Sequence, residues 1–244
     1  MRNTCASQSD VSHLPTSSSP LRGTILIVDR NSEHVESLVE GLEASGFAVE
    51  TAENGEDALA LAQRIQPALI ITEVTLDGIS GVELCRSLRA DPTTEGTQVI
   101  MLTTRQSEED RIEGFEAGAD GYVAKPCSAR ELVLRVKAVQ RRTRPLKGQV
   151  VHAGPISVDH ARCCALVDGA AIDLTPTEFR LLATLAEKPN VVQTRDKLLS
   201  EVWGNENAIE NRSVDTYLRR LRNKLGNAGQ HIKTVYGFGY RIAC

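Results

Sequence analysis

Between Arg212 and Leu225 the chain reads as one helix with two unlike faces. At 100° per residue, Val214, Leu218, Leu221 and Leu225 fall on one narrow stripe, and Arg212, Thr216, Arg219, Arg220 and Asn223 fall opposite them. The aliphatic stripe would anchor the helix. The other face offers forked guanidinium donors that suit guanine edges or phosphate oxygens, and an amide that suits adenine. A solvated basic face would look the same if it stood alone. Its place in the chain distinguishes it: it is the last of three predicted helices, and a Gly-rich strand–turn–strand over Ile232–Ile242 follows at once.

The elements that must position this face occupy the last hundred residues. Short strands are predicted at Ile156–Val158, Cys163–Val167 and Ala171–Leu174, with Asp168-Gly169 as a turn signal. Within the second of these, Cys163 and Cys164 should point to opposite faces. Thr175-Pro-Thr-Glu178 combines a cap, a proline at the first helical position and an acid in the first turn. The helix it opens should bury Phe179, Leu182 and Leu185. Thr194 should cap the next helix, with Leu198, Leu199 and Val202 inward.

The first half has a different rhythm. Apolar runs at Thr24–Val28, Phe47–Thr51, Ala68–Thr72, Val99–Leu102 and Tyr122–Ala124 predict strands, and each is followed by a helical period. The last of those helices opens with a capping box, Ser128 to Glu131. Five βα units in succession predict a parallel sheet covered on both faces by helices. The domain reading is therefore a Ser/Thr/Pro-rich tail over 1–22, an α/β domain over 23–142, a linker over 143–149 and an α+β domain over 150–244.

Net charge is −4 over 244 residues, but it is unevenly spread. Residues 21–144 carry 14 Lys+Arg against 21 Asp+Glu, whereas residues 145–244 carry 13 against 10. An acidic half joined to a basic half suits a regulatory unit attached to a polyanion binder. No apolar run approaches the roughly 20 residues of a membrane span, and the N-terminus lacks a secretory pattern. A cytoplasmic location with reduced thiols is the expectation. The six cysteines have no metal-ligand spacing. Nor do His152, His160 and His231, which are expected at the surface, while Trp203 is expected to pack beneath its loop.

The segments LTPTEFRLLATL, VVQTRDKLLSEVWG, RSVDTYLRRLRNKLG and IKTVYGFGYRI resemble, in order and spacing, the winged-helix domain of OmpR/PhoB-type response regulators. The resemblance covers about Leu174 to Ile242. It implies a small N-terminal sheet, a recognition helix at Arg212–Lys224 that reads double-stranded promoter DNA, and a hairpin wing. It also implies that the loop Trp203–Asn211 touches RNA polymerase. Some members carry Arg at the position of Tyr236, and this chain does not.

The first half resembles the receiver domain of the same family through ILIVD at 25–29, ITEVTLDGISG at 71–81, Thr103-Thr104 and GADGYVAKP at 118–126. Receivers accept a phosphoryl group from a histidine kinase on an Asp, with Mg²⁺ held by two further acids. By that resemblance Asp29 matches the first acid, Thr103 the hydroxyl, Lys125 the conserved-role lysine and Tyr122 the aromatic switch residue, with a cis bond before Pro126. Arg30 stands where the second metal-binding acid should be, and Glu73 stands at the phospho-acceptor. A guanidinium cannot ligate Mg²⁺, and a longer carboxylate is displaced from the in-line position. No resident cofactor or metal is therefore expected, and a kinase partner is left open. Arg30 and Lys125 could instead pair with Glu73 and imitate the phosphorylated pocket; conventional phosphorylation on Glu73 is the alternative. The resemblance further implies homodimers, through Arg111, Glu116, Glu131, Arg135 and Lys137, with Gly121 in place of a common acid. Two other classes compete with the transcription factor: a protein-binding scaffold, and an enzyme using Asp29, Glu73 and Lys125. The second lacks a cleft signal, so the chain is read as non-catalytic.

Overall fold

A computed structural model of the chain describes residues 23–104, 107–141, 150–204 and 211–244. The expected tail, the linker and most of the loop Trp203–Asn211 lie outside the described residues, as do the side chains at 108, 141 and 211–213, Arg212 among them.

The first domain is a five-stranded parallel sheet. Its strands are β1 (Ile25–Val28), β2 (Val49–Ala52), β3 (Leu69–Glu73), β4 (Gln98–Thr103) and β5 (Gly121–Ala124), in the order β2-β1-β3-β4-β5. The helices α1 (Ser32–Ala44), α2 (Gly55–Ile65), α3 (Gly81–Ala90), α4 (Glu108–Ala117) and α5 (Ala129–Arg141) alternate with them. The two-residue period of the strands sorts the core. Ile25, Ile27, Ile71 and Leu102 pack with α1 and α5, while Leu26, Ile70, Val99 and Met101 pack on the other face with Leu84, Leu88 and Phe115. Strands buried on both faces are why the sequence shows continuous apolar runs there.

The second domain opens with an antiparallel sheet: β6 (Val150–Ala153), β7 (Ile156–Asp159), β8 (Cys164–Val167) and β9 (Ala170–Ile172). Helices α6 (Pro176–Ala186), α7 (Arg195–Trp203) and α8 (Asn211–Lys224) follow, then a 3₁₀ turn and the hairpin β10 (Ile232–Val235) and β11 (Gly239–Ile242). Thr175 forms the full capping box with Glu178, and Thr194 caps α7. Gln193 exchanges backbone hydrogen bonds with Tyr240 at 2.8 and 2.9 Å, which ties the hairpin to the α6–α7 turn.

Three expectations need correction. β6 was not foreseen: it is a short edge strand whose alternation is too brief to register in sequence. Cys163 is not in a strand but in the preceding turn, at φ +52°, so the two cysteines do not alternate across a sheet. His160 is buried, with its ring edge-on to Phe179, rather than at the surface.

Candidate nucleic-acid interface and the pocket of the first domain

The C-terminal ends of β1, β3 and β5 bring Asp29, Glu73 and Lys125 together. The Lys125 ammonium lies 2.5 Å from Asp29 Oδ2 and 2.5 Å from Glu73 Oε2, with all three side chains largely buried. Glu73 Oε1 turns back to accept the backbone N–H of Val74 at 2.8 Å and of Thr75 at 3.4 Å. The Asn31 N–H donates to Asp29 Oδ1 at 3.0 Å. Burial alone would lower the Lys125 pKa, but the hydrogen bonds and charges of Asp29 and Glu73 outweigh it and hold the ammonium above its ordinary value. Thr103 is buried at the end of β4, Tyr122 packs inward on β5, and the Lys125–Pro126 bond is cis.

Arg30 does not join this cluster. Its side chain is exposed and pairs with Asp77 at 3.2 Å, so the expected pairing with Glu73 is corrected: only Lys125 makes it. The backbone after β1 carries Arg30 outward, where water solvates the guanidinium at no desolvation cost. A divalent cation does not fit here. The ammonium fills the gap between the two carboxylates, and no group of three or more His, Cys, Asp or Glu among the described residues could hold a metal ion.

On α8, Val214, Leu218, Leu221 and Leu225 are buried as expected. Arg219 and Asn223 are exposed, and Thr216 is half-buried. Arg220 is the exception to the outward face. Its guanidinium lies 3.6 Å from the buried carboxylate of Glu178, over the ring of Tyr217, and against the backbone of Gly118 in the first domain.

That last contact belongs to a junction between the domains. Tyr217 is fully buried; its hydroxyl donates to the Ala119 carbonyl, and its ring meets Phe115 of α4 at 6.4 Å and Trp203 at 5.1 Å. Burial, with the Asp120 charge nearby, pushes the Tyr217 phenol well above its ordinary pKa. The Thr177 hydroxyl donates to Asp120 Oδ1 at 2.6 Å. Asp120 Oδ2 accepts from Val99 N–H at 2.9 Å and from Arg89 at 3.0 Å. Arg89 spends its remaining donors on the carbonyls of Glu95, Thr97 and Gly118. Two ion pairs rim the junction, Arg219–Glu116 at 2.9 Å and Lys224–Glu95 at 3.7 Å. The cations that suit phosphate thus meet carboxylates of the first domain.

Sequence reasoning missed Arg89, Asp120, Thr177 and Tyr217. Only Tyr217 left a trace, since it lies three residues from Val214 and widens the apolar stripe. Of the residues expected on a dimer face, Glu116 is engaged by Arg219, Glu131 pairs with Arg135 one turn on at 3.7 Å, Arg111 is half-buried and Lys137 is exposed.

Residues 25–137 match the family described as response regulator receiver domain, and residues 169–242 match transcriptional regulatory protein, C terminal. The chain is 40% identical to the transcriptional regulatory protein ResD of Bacillus subtilis over 231 residues, covering 89% of this chain and 95% of that one. It is 40% identical to the phosphate regulon transcriptional regulatory protein PhoB of Pseudomonas aeruginosa over 222 residues, covering 90% and 97%. Among solved structures, a RitR mutant superposes with a TM-score of 0.69 at 29% identity, covering 90% of this chain and 98% of that one. With a parallel α/β receiver, a winged helix and relatives aligned along nearly their whole length, the chain belongs to the OmpR/PhoB-type response regulators, two-component transcription factors that bind DNA.

Proposed function

We propose that this regulator reads promoter DNA without conventional aspartyl phosphorylation of its receiver. The observation that carries this is the Lys125 ammonium, 2.5 Å from both Asp29 and Glu73. Glu73 takes the lysine and loop N–H donors for itself, so a phosphoryl group would have to displace an ion pair already satisfied on both sides. Arg30 adds a positive charge beside the pocket where a metal ligand would be needed. The full imitation of a phosphorylated pocket is weaker, because Arg30 takes no part and α8 rests on the receiver.

Regulation then falls on the junction. Arg219 and Lys224 pair with Glu116 and Glu95 of the receiver, while Arg220 and Lys224 are also held by Glu178 of their own domain, so parting of the two domains is what frees Arg219, and the receiver side of Lys224, for phosphates. The same parting frees Glu116 for a homodimer through α4 and α5. RNA polymerase and a cytoplasmic setting complete the reading by family likeness. A scaffold with vestigial DNA binding is disfavoured, because the cations of α8 have not been lost.

The test is incubation of the full chain with acetyl phosphate and Mg²⁺, beside the double variant Arg30→Asp/Glu73→Asp. The wild type should acquire no acid-stable, base-labile phosphate, whereas the variant should. Stoichiometric labelling of the wild type would refute the proposal.

A further inference from the structure

Glu178 is a fully buried acid set against the helix that faces DNA. It lies in the first turn of α6, and its Oε2 accepts the Thr175 N–H at 2.9 Å to close the capping box. A carboxylate there also suits the positive end of the helix dipole. A buried charge costs free energy unless opposite charge meets it, and here the opposite charge comes from α8. Lys224 Nζ is 3.1 Å from Oε2. Arg220 Nη2 is 3.6 Å from Oε1, an atom that accepts no hydrogen bond among the described residues. Lys224 also donates to the Asp173 carbonyl at 3.0 Å, and the Arg220 guanidinium lies over the Tyr217 ring at 5.7 Å. All of these partners belong to the second domain, so parting from the receiver leaves the cluster intact. The receiver's own hold on Lys224, through Glu95, is the longer one at 3.7 Å.

This arrangement sorts the cations of α8. Four are described: Arg219, Arg220, Arg222 and Lys224. Arg222 donates to the Ile232 carbonyl at 2.9 and 3.1 Å and to Thr234 Oγ1 at 2.9 Å, which commits it to the hairpin. Arg220 and Lys224 share one carboxylate, which leaves a single net positive charge between them. Arg219 alone of the four is exposed. Drawing Arg220 out to a phosphate would strip a partner from a buried carboxylate, a strongly unfavourable change.

We propose that Glu178 is a counter-charge built into the DNA-binding domain, which withholds one positive charge of the Arg220–Lys224 pair from DNA phosphates and so keeps sequence-independent binding weak. This rests on the DNA-binding reading above and deepens it. Phosphate contacts supply essentially all non-specific affinity, and each adds about 0.9 to the slope of log affinity against log salt. Non-specific sites compete with a promoter through their number, so one phosphate contact fewer shifts the balance toward side chains that read bases.

The experiment uses the full-length chain and a short duplex of arbitrary sequence, with affinity measured over a range of salt. Glu178→Gln keeps the capping bond, since an amide oxygen accepts the Thr175 N–H as a carboxylate does, and removes the charge. It should steepen the slope by about one and bind about eightfold more tightly at about 0.1 M salt, the gain that a slope of 0.9 implies. Glu178→Gln/Arg220→Met removes the buried pair together, a replacement that proteins tolerate well, and should return slope and affinity to wild type. Thr177→Val, which loosens the junction, should tighten binding without steepening the slope, because the bound complex keeps the same phosphate contacts. An unchanged slope in a folded Glu178→Gln variant overturns the proposal. So does a slope about one below wild type in the double variant, which would mean that Arg220 meets a phosphate of its own; this arm decides alone if Glu178→Gln fails to fold. A wild type that binds no duplex even at low salt overturns the DNA-binding reading itself, a result distinct from either.

Discussion

Replacing Thr177 by Val removes one hydroxyl from the junction and leaves its volume nearly unchanged. Thr177 lies on α6, away from the DNA face of α8, and is fully buried. Its hydroxyl donates to the buried carboxylate of Asp120 at 2.6 Å. A hydrogen bond to a charged group is worth about 1.5–3 kcal/mol, whereas exposed pairs such as Arg219–Glu116 contribute about 0–1 kcal/mol each. The hydroxyl is thus worth more than either ion pair at the rim. In the parted form water can solvate Asp120, so the loss falls on the closed form alone. A shift of that size raises the open population roughly 10- to 150-fold, and apparent DNA affinity follows the competent fraction until the closed form is no longer the majority. Fluorescence anisotropy with a duplex selected by the wild type should show Thr177→Val binding at least about tenfold tighter. Thr177→Ser, which keeps the donor, should stay near wild type. Wild-type affinity in a folded Thr177→Val variant, or weaker binding, would refute the claim that this junction withholds α8.

Two further outcomes follow from the same structure. Burial, with a hydrogen bond to Asp215, pushes the Tyr240 phenol up to about 12, and burial lifts Tyr217 well above its ordinary value. Because both are raised on folding, the stability they contribute is whole below pH 10 and is lost as pH climbs toward 12; thermal melts at pH 9 to 12, with phenolate absorbance, should show late tyrosines ionising together with unfolding. Gly81→Ala would place a Cβ 2.1 Å from the Glu73 carbonyl oxygen. The end of β3 must then shift, at a cost of about 1–3 kcal/mol, which should lower the receiver's melting temperature by several degrees; an unchanged melt would mean that α3 does not press on the strand that carries Glu73.

Most of the fold was legible because its signals are local. Runs such as Leu69–Ile71 are buried on both faces of a parallel sheet, and Thr175 and Thr194 announce helix starts through their own side chains. The pocket residues could be placed because each sits at the end of a strand. Arg30 could not, since a charge beside a cluster may turn toward it or toward water, and solvation decides. The junction was beyond reach for a different reason. A helical wheel gives the angle of Arg220 or Tyr217 but not what comes to cover that angle. Asp120 and Thr177 are 57 residues apart and carry no mutual signal. His160 was misjudged because a neutral imidazole can pack against Phe179 as an aromatic.

The chain has a single tryptophan, and it is Trp203, buried edge-on against Tyr217 at the point where the domains meet. Its emission therefore reports on one place. When α8 leaves the receiver, Tyr217 loses Phe115 and the Ala119 carbonyl, and the indole's surroundings change with it. The protein carries its own optical probe of opening, readable without a label in stopped flow. It can time whether the domains part before DNA arrives or only after contact.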